Sequence, residues 1–140
     1  MTKPFYELID HTADIAIRVK SSNLRSLFID TARAVFHIIS PGGVTGECSP
    51  VPFELHLTSD TQEELLITWL NELISLSAAK EVIFTQFTIH TLNDTGLTAG
   101  AVACGLKHHR REVEIKAATY HDVRIRLVRG MWQAEVLFDV

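Results

Sequence analysis

The chain has 140 residues and a mass of 15.7 kDa, with 46% hydrophobic and 21% charged residues. Its length is typical of one domain, and its composition excludes a disordered chain. The net charge of −4 argues against a broad basic surface for nucleic acid. No stretch is long and apolar enough to span a bilayer, and no signal segment opens the chain. We therefore expect one cytoplasmic domain over residues 1–140, with no membrane contact.

The first half of the chain predicts three strands and a helix. Residues 5–9 form a short apolar run, and residues 15–19 alternate apolar with polar side chains, as a half-buried strand does. Asn23 and the serine before it are typical helix N-cap residues, and apolar residues then recur at helical spacing until Pro41 should end the helix. Residues 53–58 alternate again and predict a third strand.

The second half predicts another helix and several strands. Asp60 and Glu63 have the spacing of a capping box, and the wide apolar face behind them, with Trp69, should be buried. Residues 97–103 are small, which suggests that another element presses close. Alternation predicts strands at residues 83–89, 113–117, 123–127 and 132–138, the last three as a meander. The predicted class is α+β, a mostly antiparallel β-sheet with two α-helices packed on it.

The two cysteines, Cys48 and Cys104, lie 56 positions apart and form no CxxC motif. This spacing fits neither a zinc site nor a redox motif. We expect two reduced, inert thiols.

Standard catalytic templates are missing, since the chain has no phosphate-binding glycine loop, Rossmann fingerprint, Gly-x-Ser-x-Gly elbow or His-Glu-x-x-His motif. One polar group, from Asp10 and His11 to Asp14, lies between two predicted strands. It fits a turn in which Asp side chains hold backbone N–H groups, or a metal or acid–base site at a strand edge.

Two further groups lie near the C-terminus. Lys116 should project from the polar face of its strand, as a solvated lysine paired with Glu114 or Glu135 or as a functional amine, and His121 reads more simply as a surface histidine. Asp139 should point away from the core, next to the terminal carboxylate of Val140. If the last strand is central, this negative charge must be balanced by water, a cation or a lysine. Otherwise it is a simple exposed end.

The groups described above, in this order and at this spacing, resemble the archease family. The resemblance covers almost the whole chain, and its motifs are Asp10–Asp14, Leu27–Phe28, Leu65–Leu73, Lys116–His121 and Phe138–Val140. One region departs from the family pattern: many relatives carry acidic residues where this chain has the basic run Lys107–Arg111. That run reads as a solvated loop, or as a contact for phosphate or an acidic partner.

The resemblance implies a non-catalytic protein cofactor of an RtcB-type RNA ligase in tRNA splicing and RNA repair. Such a cofactor promotes the GTP-dependent guanylylation of the ligase and its multiple turnover. GTP would bind only in the ligase complex, and any RNA contact would be indirect. The alternatives are a chaperone-like interaction protein with a structural cation and a small metal-dependent hydrolase that uses Asp14, Asp139 and His11.

The resemblance also implies site residues. Asp14, Asp139 and Val140 fall on a metal site, whose oxygen ligands suit Ca²⁺, Mg²⁺ or Mn²⁺. Lys116 matches a lysine needed for ligase activation, together with the two aspartates. Asp10, His11 and His121 are candidate supporting residues. The N-terminal motif and the C-terminus should then meet in space.

Overall fold

The structure is a computed structural model that describes residues 5–9, 14–43, 47–105 and 111–140. Within these ranges two helices and seven strands follow one another, and every strand pairing is antiparallel. The predicted α+β class is confirmed. The elements are β1 (Tyr6–Ile9), β2 (Ile15–Ser21), α1 (Leu24–Ile39), β3 (Val51–Thr58), α2 (Gln62–Lys80), β4 (Val82–Leu92), β5 (Gly96–Gly105), β6 (Ala117–Val128) and β7 (Met131–Asp139).

The first sheet has four strands in the order β1-β2-β7-β6. The last strand is therefore central, with Ile15 of β2 opposite Phe138 on one side and Ala117 of β6 opposite Asp139 on the other. A row of charged side chains crosses this sheet, because Arg18 contacts both Glu7 and Glu135. The end of the chain is held in the sheet by two neighbouring strands.

The second sheet has three strands in the order β3-β5-β4. Its central strand carries the predicted small residues, of which Ala99, Ala101 and Ala103 are buried. At Gly100 an added Cβ would lie 3.3 Å from both Glu54 Oε1 and His90 Nε2. Side chains from both flanking strands therefore meet above the glycine, whereas the expected approach of a further element to this segment stays a prediction.

Capping residues and a proline mark the ends of the helices. The Asn23 side chain accepts a hydrogen bond from the N–H of Ser26, and α1 stops at Ser40, just before Pro41. For α2 the prediction is wrong by one residue, because Thr61 caps the helix and its hydroxyl accepts from the N–H of Glu64. The threonine and Glu64 have the same spacing as the predicted pair, so the sequence pattern allowed both registers.

The core between helices and sheets is mainly aliphatic and aromatic. Trp69 is completely buried, as predicted, and its indole N–H donates to the carbonyl of Phe28 at 3.0 Å. Its ring also meets Phe87 edge-on, with centroids 6.2 Å apart. Phe84 lies in the same core and contacts Phe36 and Phe53. This cluster attaches both helices to the second sheet.

The predicted meander is only partly correct. Residues 113–117 do not form a separate strand; residues 111–116 precede β6, and the N–H of Glu112 donates to the carbonyl of Ile39 at 2.8 Å. The single strand β6 then runs to Val128, with a register shift between Thr119 and Arg124. Alternation in residues 113–117 reflects the burial of Ile115, and it does not require a neighbouring strand.

The cysteine prediction is wrong, because Cys48 and Cys104 form a disulfide with Cα atoms 5.8 Å apart. The pairing of β3 with β5 places Val51 opposite Ala103, which brings the segment before β3 alongside the end of β5. Spacing along the sequence does not reveal this contact, because it depends on the register of two strands. The cysteines therefore give no support to a reduced interior.

Candidate functional site

Asp14, Lys116 and Asp139 come together at one end of the first sheet. Asp14 directly precedes Ile15, the residue paired with Phe138, so it lies at the next register position, beside Asp139. On the other side of β7, the N–H of Lys116 donates to the carbonyl of Asp139 at 2.9 Å. The start of β2, the end of β7 and the start of β6 are therefore neighbours. We call the four residues Asp14, Lys116, Asp139 and Val140 the sheet end.

The sheet end is open to solvent. Asp139 and Lys116 are exposed, Asp14 is half-buried, and Val140 is 45% exposed. Among the residues that the structure describes, Lys116 forms no salt bridge, so the expected pairing with Glu114 or Glu135 is wrong. Its ammonium group is available to a partner.

The segment that carries Lys116 is held by an arginine. Arg111 donates to the carbonyl of Ser77 at 3.2 Å and to its hydroxyl at 2.7 Å, while that hydroxyl donates to the carbonyl of Val82. Burial lowers the pKa of the Arg111 guanidinium, and the charge of Glu114 opposes this shift. Arg111 is thus half-buried and bonded to α2, whereas the basic run was expected to be a solvated loop. Residues 107–110 lie outside the described residues.

A side chain of α2 fixes the start of β6. The Asn71 amide donates to the carbonyl of Ala118 at 3.0 Å, and its oxygen accepts from the N–H of the same residue at 2.7 Å. In the helical pattern Asn71 falls on the polar side of α2, and the pattern assigns it no contact. A polar residue on a deeply buried helix is the only sequence signal for such a contact, and it names no partner. Asn71 is therefore a positioning residue that sequence reasoning missed.

The chemistry of the sheet end fits a hard cation. Asp14, Asp139 and the main chain of Val140 offer oxygen atoms only, which suits Ca²⁺, Mg²⁺ or Mn²⁺. Within the four described ranges, no group of three or more His, Cys, Asp or Glu side chains could hold a metal ion. The described donor set is two side-chain carboxylates and the main-chain oxygen of Val140. Metal binding by these residues remains a prediction.

The candidate supporting residues have different outcomes. Asp10 and His11 lie outside the described residues. His121 is exposed in the irregular part of β6, four residues beyond Ala117, and its Nε2 lies 3.2 Å from Asp122 Oδ2. The structure therefore gives His121 a surface partner and does not bring it to Asp139. No helix in the described part of the chain has the length and apolarity needed to cross a membrane.

Comparison with known sequences gives consistent relatives. The profile of the Archease protein family (MTH1598/TM1083) matches residues 6–140. A protein archease from Methanosarcina acetivorans is 34% identical, and the match covers 96% of this chain and 95% of the relative. A protein archease from Pyrococcus furiosus is 31% identical over 96% of this chain and 98% of the relative. The profile match extends over both sheets and the sheet end.

Solved structures show the same fold. The solution structure of Methanobacterium thermoautotrophicum protein 1598 has a TM-score of 0.74 and 27% identity, covering 99% of this chain and all of that chain. A crystal structure from Thermotoga maritima, described as an archease and possible chaperone, has a TM-score of 0.64 and 24% identity, covering 100% of this chain and 98% of that one. With the profile match over nearly its full length, the chain belongs to the archease family.

Proposed function

We propose that this protein is a non-catalytic accessory factor that activates an RtcB-type RNA ligase by promoting its GTP-dependent guanylylation and multiple turnover. The observation that carries the proposal is the convergence of Asp14, Lys116 and Asp139 at one solvent-exposed sheet end. Membership of the archease family supports the proposal, because this role is the one that the resemblance to that family implies.

The sheet end can act on a nucleotide in a ligase pocket through charge. Asp14 and Asp139 carry carboxylates at neighbouring register positions, and Lys116 follows on the other side of β7. Within the described ranges, the Lys116 ammonium group forms no salt bridge. A divalent cation bound there would offset triphosphate charge during attack on the α-phosphate. Lys116 would contact a phosphate or a ligase carboxylate. The backbone bond from Lys116 to Asp139 keeps the two residues that carry the amine and the carboxylate next to each other at the sheet end.

The test combines the cognate ligase with GTP, Mn²⁺ and this protein, and follows guanylylation of the ligase and the ligation of RNA ends. The wild-type chain should accelerate guanylylation and allow multiple turnovers. Asp14→Ala and Asp139→Ala should each reduce the rate to that of the ligase alone. Lys116→Ala should reduce stimulation roughly tenfold, the value of one charge-assisted hydrogen bond.

The matched control is Asp94→Ala, which removes an exposed carboxylate from the turn between β4 and β5 in the other sheet. It should stimulate like wild type. The free energy of unfolding of the Asp139→Ala variant should lie within about 0.5 kcal/mol of the wild-type value, since Asp139 is exposed. Undiminished stimulation by both aspartate variants would remove the sheet end from the mechanism.

The same assays separate the alternatives. A chaperone-like protein would leave guanylylation unchanged and suppress the aggregation of unrelated unfolded proteins. A hydrolase would turn over phosphoesters or nucleotides with Mn²⁺ in the absence of ligase, and the Asp14→Ala variant would lose that turnover.

A further inference from the structure

The outer face of the first sheet carries charged side chains in two rows. Both helices pack against the opposite face, where Ile17 of β2 and Val136 of β7 are buried in the core. Because side chains alternate along a strand, the residues between these core positions point outward. The register of β2, β7 and β6 places Arg18, Glu135 and Arg124 in one row, and Lys20, Gln133 and Arg126 in the next. We call the four cations of these rows, Arg18, Lys20, Arg124 and Arg126, the basic face.

Two carboxylates neutralise part of this charge. Glu135 Oε1 accepts a hydrogen bond from Arg18 Nε at 3.0 Å and lies 3.9 Å from Arg126 Nη2. On the other side, Arg18 Nη1 lies 3.3 Å from Glu7 Oε2 of the edge strand β1. Both carboxylates therefore act mainly on Arg18, and they hold its guanidinium against the sheet.

The opposite corners of the basic face carry free charges. Lys20 and Arg124 are exposed, and neither forms a salt bridge with any residue that the structure describes. The outer strands lie about 10 Å apart across β7, and the two rows lie about 7 Å apart along the strands. Around these rows the cations outnumber the carboxylates two to one, although the whole chain has a net charge of −4. Positive charge is thus concentrated on one face and available to an anionic partner.

The composition of the face favours nucleic-acid phosphates over an acidic protein. The centre of the two rows is occupied by Gln133 and Glu135, and no apolar side chain belongs to either row. Protein–protein interfaces have an apolar centre, whereas nucleic-acid interfaces are more polar and more positively charged. Arg, Lys and Gln side chains all donate to phosphate oxygens. Neither row contains an aromatic ring for base stacking, so the expected contact is with the backbone and is independent of base sequence.

The basic face and the sheet end lie on the same side of β7. Alternation along the strand from Glu135 brings Asp139 to this outer face, four residues or about 13 Å farther on. A nucleic-acid strand that follows β7 from the two rows therefore runs toward the sheet end.

We propose that the basic face binds the phosphate backbone of the RNA whose ends the ligase joins. The inference rests on the proposed function for the identity of the nucleic acid, and it adds a direct RNA contact where the family resemblance implies an indirect one. Lys20, Arg124 and Arg126 each contact a phosphate, and Arg18 keeps Glu135 in place between them. The contact holds the RNA beside the sheet end while the ligase acts on its terminus.

The test follows the binding of a fluorescein-labelled RNA hairpin to the full chain by fluorescence anisotropy. Binding is measured without ligase, whereas guanylylation without RNA tests the proposed function, so either one can fail while the other holds. At about 50 mM salt the Kd should be on the order of 100 µM, and added salt should weaken binding steeply because phosphate contacts release counterions. The absence of saturable binding at about 1 mM protein would overturn the proposal. Tighter binding of a poly-glutamate peptide of equal charge would also overturn it, and would assign the face to an acidic protein.

A pair of double variants locates the contact. Arg124→Gln with Arg126→Gln should weaken hairpin binding about tenfold and lower the slope of log K against log salt by about 2. The matched control, Arg25→Gln with Lys80→Gln, removes two exposed cations from the helices and should bind the hairpin like wild type. All four side chains are exposed, so both double variants should fold. The proposal fails if the two double variants bind the hairpin equally well, because net charge alone would then account for the binding.

Discussion

The two sheets hold their residues in different ways. In the second sheet, Phe84 contacts the rings of Phe36, Phe53 and Phe87, and a disulfide joins the segment before β3 to the end of β5. At the sheet end of the first, the candidate residues are exposed and are positioned by strand register and backbone hydrogen bonds. Substitutions in the aromatic core of the second sheet should therefore lower the free energy of unfolding. Side-chain substitutions at the sheet end should change function and leave the free energy of unfolding almost unchanged.

Trp69→Ala should produce the largest effect and measure the packed region. The change empties a completely buried site and removes the hydrogen bond to Phe28. We expect the free energy of unfolding to fall by about 3–5 kcal/mol in urea denaturation.

The matched change in the first sheet is Trp132→Ala on β7, where the indole is only half-buried. Its loss should be clearly smaller. Equal losses would show that the first sheet is packed as tightly as the second, which would remove the contrast.

Removing the disulfide should have the next largest effect. The bond closes a loop between positions 56 residues apart. The double variant Cys48→Ala with Cys104→Ala removes this cross-link and so raises the conformational entropy of the unfolded chain. We expect a loss of about 2–4 kcal/mol in the free energy of unfolding.

A reductant supplies the control for this prediction. It should lower the stability of the wild-type chain toward that of the double variant and leave the variant unchanged. A double variant as stable as the oxidised chain would mean that packing alone holds β3 and β5 together.

Asn71→Ala should have the smallest effect and tests the sheet end. It removes both hydrogen bonds to Ala118, at a cost of about 1–2 kcal/mol, and should speed hydrogen exchange of the Ala118 amide. Ser75→Ala, an exposed residue on the same helix, is the control and should change neither quantity. Unchanged exchange in Asn71→Ala would mean that β6 is held by β7 alone.

Side-chain periodicity predicted most of the fold, because it records which face of each element is buried. The alternation in residues 15–19 predicted a strand, and these residues lie in β2. The wide apolar face predicted for the second helix is buried in α2. Periodicity does not record the partner of a segment. Residues 113–117 alternate correctly, yet the backbone at Glu112 and Val113 bonds to the end of α1, not to a neighbouring strand.

The candidate site was predicted only in part for the same reason. Alternation alone placed Asp139 away from the core, and the family resemblance supplied Asp14 and Lys116 as its neighbours. Their proximity depends on the register of β2, β7 and β6, which no short motif specifies. The disulfide and the Asn71 contact depend on tertiary register too, and neither was predicted.

The contact between Asn71 and Ala118 also limits how another molecule can approach. An added β-strand binds through the free N–H and C=O groups of an edge strand. Here the side-chain amide already takes both groups of Ala118, so this stretch of β6 cannot be extended by an incoming peptide in strand form. A partner that docks beside Lys116 would therefore contact side chains there, because the main chain of Ala118 is not available for strand pairing.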